Sequence, residues 1–469
     1  SENNTYSETA GLFTPYDPNL CNSVTKWSLS QQRDLTTDYA SDLARGERVA
    51  SYLTYTKNKF VALMPRNAQV LDILISRAKL GITIRQAAII THLAGDRGAL
   101  GFSRITAQAI QFPNDHAWHY PIRSEQWWFG VNINTTNGQN MSFIFHVTRR
   151  TITPKQFWGS HGGEENSLFI FQYMLTTGDG DIFTNATEVD GSQGITSSEI
   201  APFFMGAGDA FVIRSIRTDG VFFPLQIRCT DPIKKIHVDF QVMAVKNGLK
   251  YKRSLLSPMM GVRFYDWPRV EVITGSVKIM GQEMNVSSGV GSLIHQIGSM
   301  YDIGVRSSVS QRASAIITNS DISQFMQSRI WILLQLDTKE ELFITFLPAL
   351  PRSDRTGTPF PFASGQWVRT DGEAMDIHGT LTFTEHITST VTGVKYPLGI
   401  RIDVPELFLN FTLSATRHRH TDADLYSVEY FSTGCAVTGS RTGTGFFACR
   451  GFVTPQVRII AHLKSIGLT

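Results

Sequence analysis

No apolar run in this sequence approaches the ~18 residues a helix needs to cross a bilayer, so the chain reads as soluble, with no membrane span. Charge is scarce too. Charged residues make up 18% of the chain and the net charge is +3, which leaves no basic stripe for nucleic acid and no acidic tail. No charged-then-apolar leader follows Ser1, so a signal peptide has either been removed or never existed. Glycine-rich phosphate loops ahead of a helix are missing, as is a Gly-x-Ser-x-Gly nucleophile elbow; nucleotide cofactors and serine-hydrolase chemistry are not expected. The cysteines (Cys21, Cys229, Cys435 and Cys449) lack metal-ligand spacing, and no histidine pair has ligand spacing with a carboxylate partner. Neither a metal nor any other cofactor is expected.

What is present is aromatic. There are 30 Phe and 38 Gly among 469 residues, a composition that favours many strands joined by tight turns. The length suits two or three domains. Residues 1–111 read as a small helical region. A helix is expected around Asp38–Leu53, interrupted by Gly46. Asn67 can cap a second run with Val70, Leu71, Leu74, Ile75 and Ala78 at helical spacing, ended by Gly81. Thr83 opens a third, ended by Gly95. The simplest role for this region is a structural cap on a β-domain.

From Trp127 the apolar period changes to two. Trp127, Phe129, Val131 and Ile133 alternate with Trp128, Gly130 and Asn132; after Asn137-Gly138 come Met141, Phe143, Phe145 and Val147. A two-residue turn would set Phe129 opposite His146 and Trp127 opposite Thr148. The pattern restarts after Trp267-Pro268. Many short strands in two blocks predict two antiparallel β-barrels in tandem, at 112–265 and 266–469. The last strands form a hairpin folding near Arg441–Gly443, whose symmetric register would set Cys435 opposite Cys449 for a disulfide; two buried free thiols are the equal alternative. Six Asn-x-Ser/Thr sequons (Asn3, Asn134, Asn140, Asn185, Asn285 and Asn410) favour a secretory route and a glycoprotein, with a cytoplasmic protein as the alternative.

One stretch concentrates chemistry. Asp115, His116, His119 and Glu125 lie just ahead of Trp127-Trp128, and polar groups beside large rings suit an apolar ligand with one polar or reactive end. Glu125 beside two indoles is expected to have a raised pKa and to act as a general acid; the alternative is an ion pair with Arg123 or Arg149. Asp115 and His119 precede the strand at a barrel mouth, for catalysis or for holding that loop. Trp127 and Trp128 must point to opposite faces, one packing and one free to line a pocket. His146 meets either solvent or the lumen. His418 to His420 read as a solvated loop.

These residues resemble a known family, the tandem lipocalin-like proteins that include bacterial acyclic-carotenoid hydratases, fungal kievitone hydratase and fungal decalin-forming Diels–Alderases. That family's first barrel opens with Asp-His-Gly-x-His and then Glu-Trp-Trp-Tyr. Asp115-His116-Ala117-Trp118-His119 and Glu125-Gln126-Trp127-Trp128-Phe129 are similar, with Gln126 as an extra residue. Gly275–Gln282, Trp331–Asp337, Tyr396–Arg401 with Pro405, and Gly434–Val437 with Arg450–Phe452 resemble later family segments in order and spacing. The resemblance spans roughly residues 112–455 and implies the lipocalin-like form of both barrels.

The departures bear on function. The hydratases carry Trp-Leu-Asp-His-Gln-Trp-Gly, whose Asp is a favoured proton donor. Here Ser292-Leu293-Ile294-His295-Gln296-Ile297-Gly298 stands in its place, with Ile294 at the acid position. Ser432-Thr433-Gly434 likewise replaces the family's Trp-Glu-Gly. An isoleucine can neither donate nor accept a proton. The resemblance therefore implies a cofactor-independent enzyme acting on an apolar polyene, terpenoid or polyketide-like molecule, cyclising or isomerising it in preference to hydrating it. Glu125, His119 and His295 are the candidate catalytic residues, and Asp115, Trp127, Trp128, His146, Gln296 and Trp331 the candidate ligand contacts. The alternative is a non-catalytic carrier of a hydrophobic small molecule. Oligomeric state is left open by the sequence.

Overall fold

A computed structural model describes residues 39–60, 68–93, 101–103, 110–191, 203–250, 262–298, 329–346, 357–361, 364–388, 395–416, 419–421 and 430–450. Asn3, Cys21, Asn67, Gly95 and His418 lie outside these residues. Among the described residues three helices come first: α1 (Tyr39–Phe60), α2 (Ala68–Ala78) and α3 (Ile84–Leu93). The cap of α3 is a reciprocal pair, with Gln86 N donating to Thr83 Oγ1 at 3.2 Å and Thr83 N donating to Gln86 Oε1 at 3.1 Å. Gly46 does not interrupt α1, contrary to its expected role. Its missing side chain admits the end of α2 instead, since a Cβ there would come 1.9 Å from the Ala78 carbonyl oxygen.

The rest is strand. The first antiparallel sheet contains β1 (Ser124–Thr135), β2 (Asn140–Thr151), β3 (Ser167–Thr176), β4 (Ile182–Asp190), β5 (Phe204–Ala207), β6 (Phe211–Ser215), β7 (Leu225–Asp231), β8 (Ile236–Ala244), β9 (Leu249–Lys250), β10 (Val262–Ile279) and β11 (Gln282–Gly298). Its order is β4-β3-β2-β1-β11-β10-β8-β7-β6-β5, with β9 on β10. The second sheet contains β12 (Arg329–Leu336), β13 (Glu341–Phe346), β14 (Pro359–Pro361), β15 (Ser364–Val368), β16 (Ala374–Ile377), β17 (Thr380–Thr388), β18 (Lys395–Val404), β19 (Leu409–Ala415), β20 (Arg419–Thr421), β21 (Tyr430–Gly439) and β22 (Gly443–Arg450). Both sheets curl, the first into a nearly closed barrel and the second into a half-barrel, as the lipocalin-like, mainly β expectation requires. The division expected at residue 266 falls inside β10, so the first sheet takes its last two strands from the 262–298 segment.

The period of two fixes the faces. Trp127, Phe129, Val131, Phe143, Phe145, Phe169, Phe171 and Phe240 fill the barrel, each buried ring contributing roughly 1.5–3 kcal/mol. The register differs by one from that of a two-residue turn: Phe129 pairs with Phe145 and Trp128 with His146. Gly138 N donates to Thr135 O at 3.0 Å, Thr135 N donates to Gln139 O at 2.9 Å, and Gly138 has φ +84°. That is a three-residue loop with a glycine bulge, and it keeps ring opposite ring across the pair. The helices cover the β4 edge. Arg45 reaches Asp190 at 2.7 Å and Asp42 at 2.8 Å, and Arg85 pairs with Glu188.

The Cys435–Cys449 pairing is overturned. Val437 pairs with Gly443, which sets Cys435 opposite Gly445 and Cys449 opposite Phe431. The chain reverses about Ser440, where Gly439 takes φ +109°. Four residues of offset is ~13 Å along a strand, well beyond disulfide reach. Cys229, Cys435 and Cys449 are free and buried, and burial pushes each thiol up from its ordinary pKa.

The outer face of β1, β2 and β11 carries the second sheet. Trp128 meets Trp331 edge-on at 5.1 Å and Phe446 at 5.3 Å, and Asn132 Nδ2 donates to the Gly445 carbonyl at 3.1 Å. Gly434 permits this approach, because a Cβ there would stand 2.2 Å from Ser142 Oγ. Glu341, on the second sheet, binds Lys246 at 2.7 Å and Arg269 at 3.2 Å on the first.

Candidate functional site

The nominated residues separate onto two faces of the β1–β11 ladder. Glu125, Trp127 and His295 point into the barrel; Trp128, His146, Gln296 and Trp331 sit between the sheets. His146 is buried, meeting neither solvent nor lumen: its Nε2 lies 3.0 Å from Gln126 Oε1, and Gln126 Nε2 donates to Gln296 Oε1 at 2.9 Å. Ile294 pairs with Trp128 and Asp266, so the residue at the family's acid position faces this same inter-sheet side.

Inside the barrel mouth a hydrogen-bonded chain begins at the half-buried Asp115. Its Oδ1 lies 2.8 Å from His119 Nε2, and His119 Nδ1 lies 2.7 Å from Glu125 Oε1. The same Glu125 oxygen is 2.5 Å from His295 Nε2, and His295 Nδ1 is 2.6 Å from the Tyr265 hydroxyl. Glu125 Oε2 accepts from Arg149 Nη2 at 3.0 Å and from the His119 backbone N–H at 2.7 Å. Glu125, Tyr265 and His295 are buried, while the His119 side chain is 24% exposed. The chain thus runs from the rim to the interior. Of the two arginines considered for Glu125, the described ion pair is with Arg149.

The charge states follow from the surroundings. Burial alone would raise Glu125, but the charge of protonated His119, with hydrogen bonds from His119 and His295, outweighs it and holds the carboxyl well below its usual range. This corrects the expectation of a raised pKa and a carboxylic-acid donor: Glu125 is ionised. Burial pulls His119 down, yet Glu125 and Asp115 together lift it to about 9, so His119 carries the proton. Burial lowers His295, and lowers His116 to about 3, leaving both neutral. With Glu125 ionised, His295 presents Nε2–H to it and leaves Nδ1 to accept from Tyr265. Burial, and then Glu125, raise Tyr265, so it keeps its proton; its single O–H lies within reach of His295 Nδ1 (2.6 Å) and the Asp115 carbonyl (2.9 Å) and donates to one of them at a time.

Aromatic rings enclose the chain. Trp127 stacks on His295 with centroids 3.9 Å apart, and His116 lies between Phe222 at 3.9 Å and Phe112 at 4.3 Å. Trp267 packs beside Phe222 and Tyr265. Phe112 is 38% exposed, the outermost ring of this stack at the rim. Tyr265 was missed in the sequence because it sits on β10, 140 positions from Glu125; the signal available was its pairing opposite His295 across β10–β11.

His119, Glu125 and His295 also form a set whose ligand atoms lie within 4.8 Å of one another, the composition of a divalent-cation site. Local spacing gave no sign of it, because the fold rather than the sequence joins residues 119 and 295. Both histidine nitrogens already contact one carboxylate oxygen at 2.5 and 2.7 Å, and Arg149 holds the other oxygen.

A cleft of about 800 Å³ lies elsewhere, between the sheets, lined by residues such as Asn132, Ser142, Ser288 and Gln335. Asn132 is seven positions beyond Glu125, ~23 Å along β1. None of Glu125, His119 and His295 lines it.

The AttH-like family profile matches residues 104–452. Among solved structures, an AttH from Nitrosomonas europaea is 15% identical and superposes with a TM-score of 0.56, covering 74% of this chain and 99% of that one. Kievitone hydratase from Nectria haematococca is 12% identical with a TM-score of 0.49, covering 76% and 97%. CghA is also 12% identical, with a TM-score of 0.37 over 76% and 97%. No curated protein sequence matches the chain. The match to the family profile spans most of the chain, and the barrel and half-barrel are the fold it shares with the Nitrosomonas protein: the chain belongs to the AttH-like family.

Proposed function

We propose that this protein is an enzyme that uses no organic cofactor and moves a proton on an apolar polyene, terpenoid or polyketide-like molecule. The carrying observation is the buried chain His119–Glu125–His295–Tyr265, which runs from the barrel rim into an aromatic lumen. Tyr265 O–H faces the neutral His295 imidazole, so its oxygen can take a proton from an activated carbon while its own proton passes to His295 Nδ1. The imidazolium so formed is stabilised by Glu125, and the same proton can be returned to another carbon. Glu125 fixes the His295 tautomer, and protonated His119 at the rim keeps Glu125 ionised. The rings of Trp127, Trp267 and Phe222 favour an apolar substrate and would stabilise developing positive charge. Isomerisation or cyclisation is favoured over hydration, because Ile294 supplies no acid and faces away from this chain.

The test starts with protein from its native source, extracted for bound small molecules and then incubated with the biosynthetic precursor of whatever is found. Turnover is expected. His295→Ala and Tyr265→Phe should each lower kcat by ~10²–10⁴-fold while ligand binding persists. Stoichiometric ligand without turnover would leave the carrier reading instead. Turnover untouched by both substitutions would remove this site from the chemistry.

A further inference from the structure

The inter-sheet cleft differs in chemistry from the barrel lumen. Its rim and walls include Arg269 and Lys339 against Glu271 and Asp337, so the formal charges cancel, and no aromatic side chain lines it. Arg269 is already bound to Glu341 at 3.2 Å, and Lys339 lies 3.8 Å from Glu271. An uncharged ligand rich in hydroxyl groups suits such a surface. Gln335 adds a specific demand. Its side chain lines the cleft and is 2% exposed; Nε2 donates to the Pro268 carbonyl, but Oε1 accepts no hydrogen bond. A buried acceptor without a donor is costly, and a ligand hydroxyl would relieve it.

Two of the sequons line the same cleft. Asn134 and Asn140 are paired across β1–β2 and are both exposed, and Asn285 joins the neighbouring loop through its carbonyl, which accepts from Thr136 N at 2.8 Å. Directly paired residues stand ~5 Å apart, too close for two glycans. Asn134 Nδ2 is occupied, donating to Ser288 Oγ at 3.0 Å. We propose that the cleft is an oligosaccharide site and that the chain it holds is carried on Asn140. In the attachment, the Asn140 amide nitrogen displaces the diphosphate of a lipid-linked oligosaccharide. A C–N bond to the first sugar forms, the sugar–O–phosphate bond breaks, the nitrogen loses a proton, and the lipid diphosphate leaves. The proposal places the protein on a secretory route and is independent of the catalytic reading.

The experiment is secretion of the full chain from a glycosylating eukaryotic host, followed by peptide mass spectrometry and native peptide:N-glycosidase digestion. Asn140 is expected to be occupied and Asn134 empty. Release from folded protein should be at least tenfold slower at Asn140 than at Asn185, an exposed sequon on β4 away from the cleft. Gln335→Leu, and separately the exposed-side variant Lys339→Ala, should each speed release at Asn140 alone. An unmodified Asn140, occupancy of Asn134 in its place, or release as fast as at Asn185 would overturn the proposal.

Discussion

Replacing Glu125 by Gln keeps the shape of the side chain and removes the charge that organises its neighbours. The carboxylate accepts from His119 Nδ1, His119 N, His295 Nε2 and Arg149 Nη2 at 2.5–3.0 Å. Without it, a buried guanidinium faces a neutral amide and His119 loses its main anion. Breaking one partner of a buried pair costs ~3–5 kcal/mol. A second route gives a similar size. Lifting His119 from 6.5 to about 9 corresponds to ~3 kcal/mol at about 1.4 kcal/mol per tenfold, and its side chain is buried enough that solvent screening does not erase this. At ~2–4 °C per kcal/mol, thermal unfolding of Glu125→Gln should begin ~6–20 °C below the parent. The pH dependence carries a signature. The His119 contribution is complete below its unfolded value near 6.5 and lost as pH rises through about 9. Glu125 acts in the opposite sense: its stabilisation is present above 4.5 and lost as pH falls through its depressed folded value. In the variant the alkaline loss should shrink, as read by urea midpoints at pH 6.5 and pH 9.5. A variant within about 1 kcal/mol of the parent, with the same alkaline slope, would refute this account of the charges.

Two further expectations come from packing. Cys229, Cys435 and Cys449 should resist a thiol reagent in the folded protein and react once it is unfolded, and air oxidation should yield no intramolecular 435–449 bond on non-reducing mass spectrometry; a native cross-link would contradict the register. Gly46→Ala should destabilise by ~1–3 kcal/mol or more, since the new methyl meets a backbone oxygen that cannot rotate aside. A melting temperature unchanged within 1 °C would mean the α1–α2 contact is too loose to exclude a methyl group.

Much of this arrangement is legible in residue order. Alternation along 127–133 and 141–147 specifies strands with the rings on one face, and the Asn67–Ala78 and Thr83–Leu93 patterns specify helices, because those periods are local properties of the chain. Registers were not legible to one residue. A glycine bulge and a type I′ turn share the Asn-Gly signal, and only pairing energy over the full strand chooses between them. The cysteine hairpin failed in the same way, with Gly439 taking the left-handed position and shifting the reversal to Ser440.

The candidate site divides along the same line. The sequence by itself marked Asp115, His119 and Glu125 as a cluster ahead of Trp127, because four to ten residues of chain hold them near one another. It could also say that Trp127 and Trp128 part company, since strand geometry requires it. Only the tertiary structure brought His295 and Tyr265 from β11 and β10 to Glu125, placed Ile294 on the opposite face, and decided that Glu125 is charged. A pKa is set by the balance of burial against nearby charge, and both are sums over neighbours that pairing across the sheet, rather than sequence proximity, supplies.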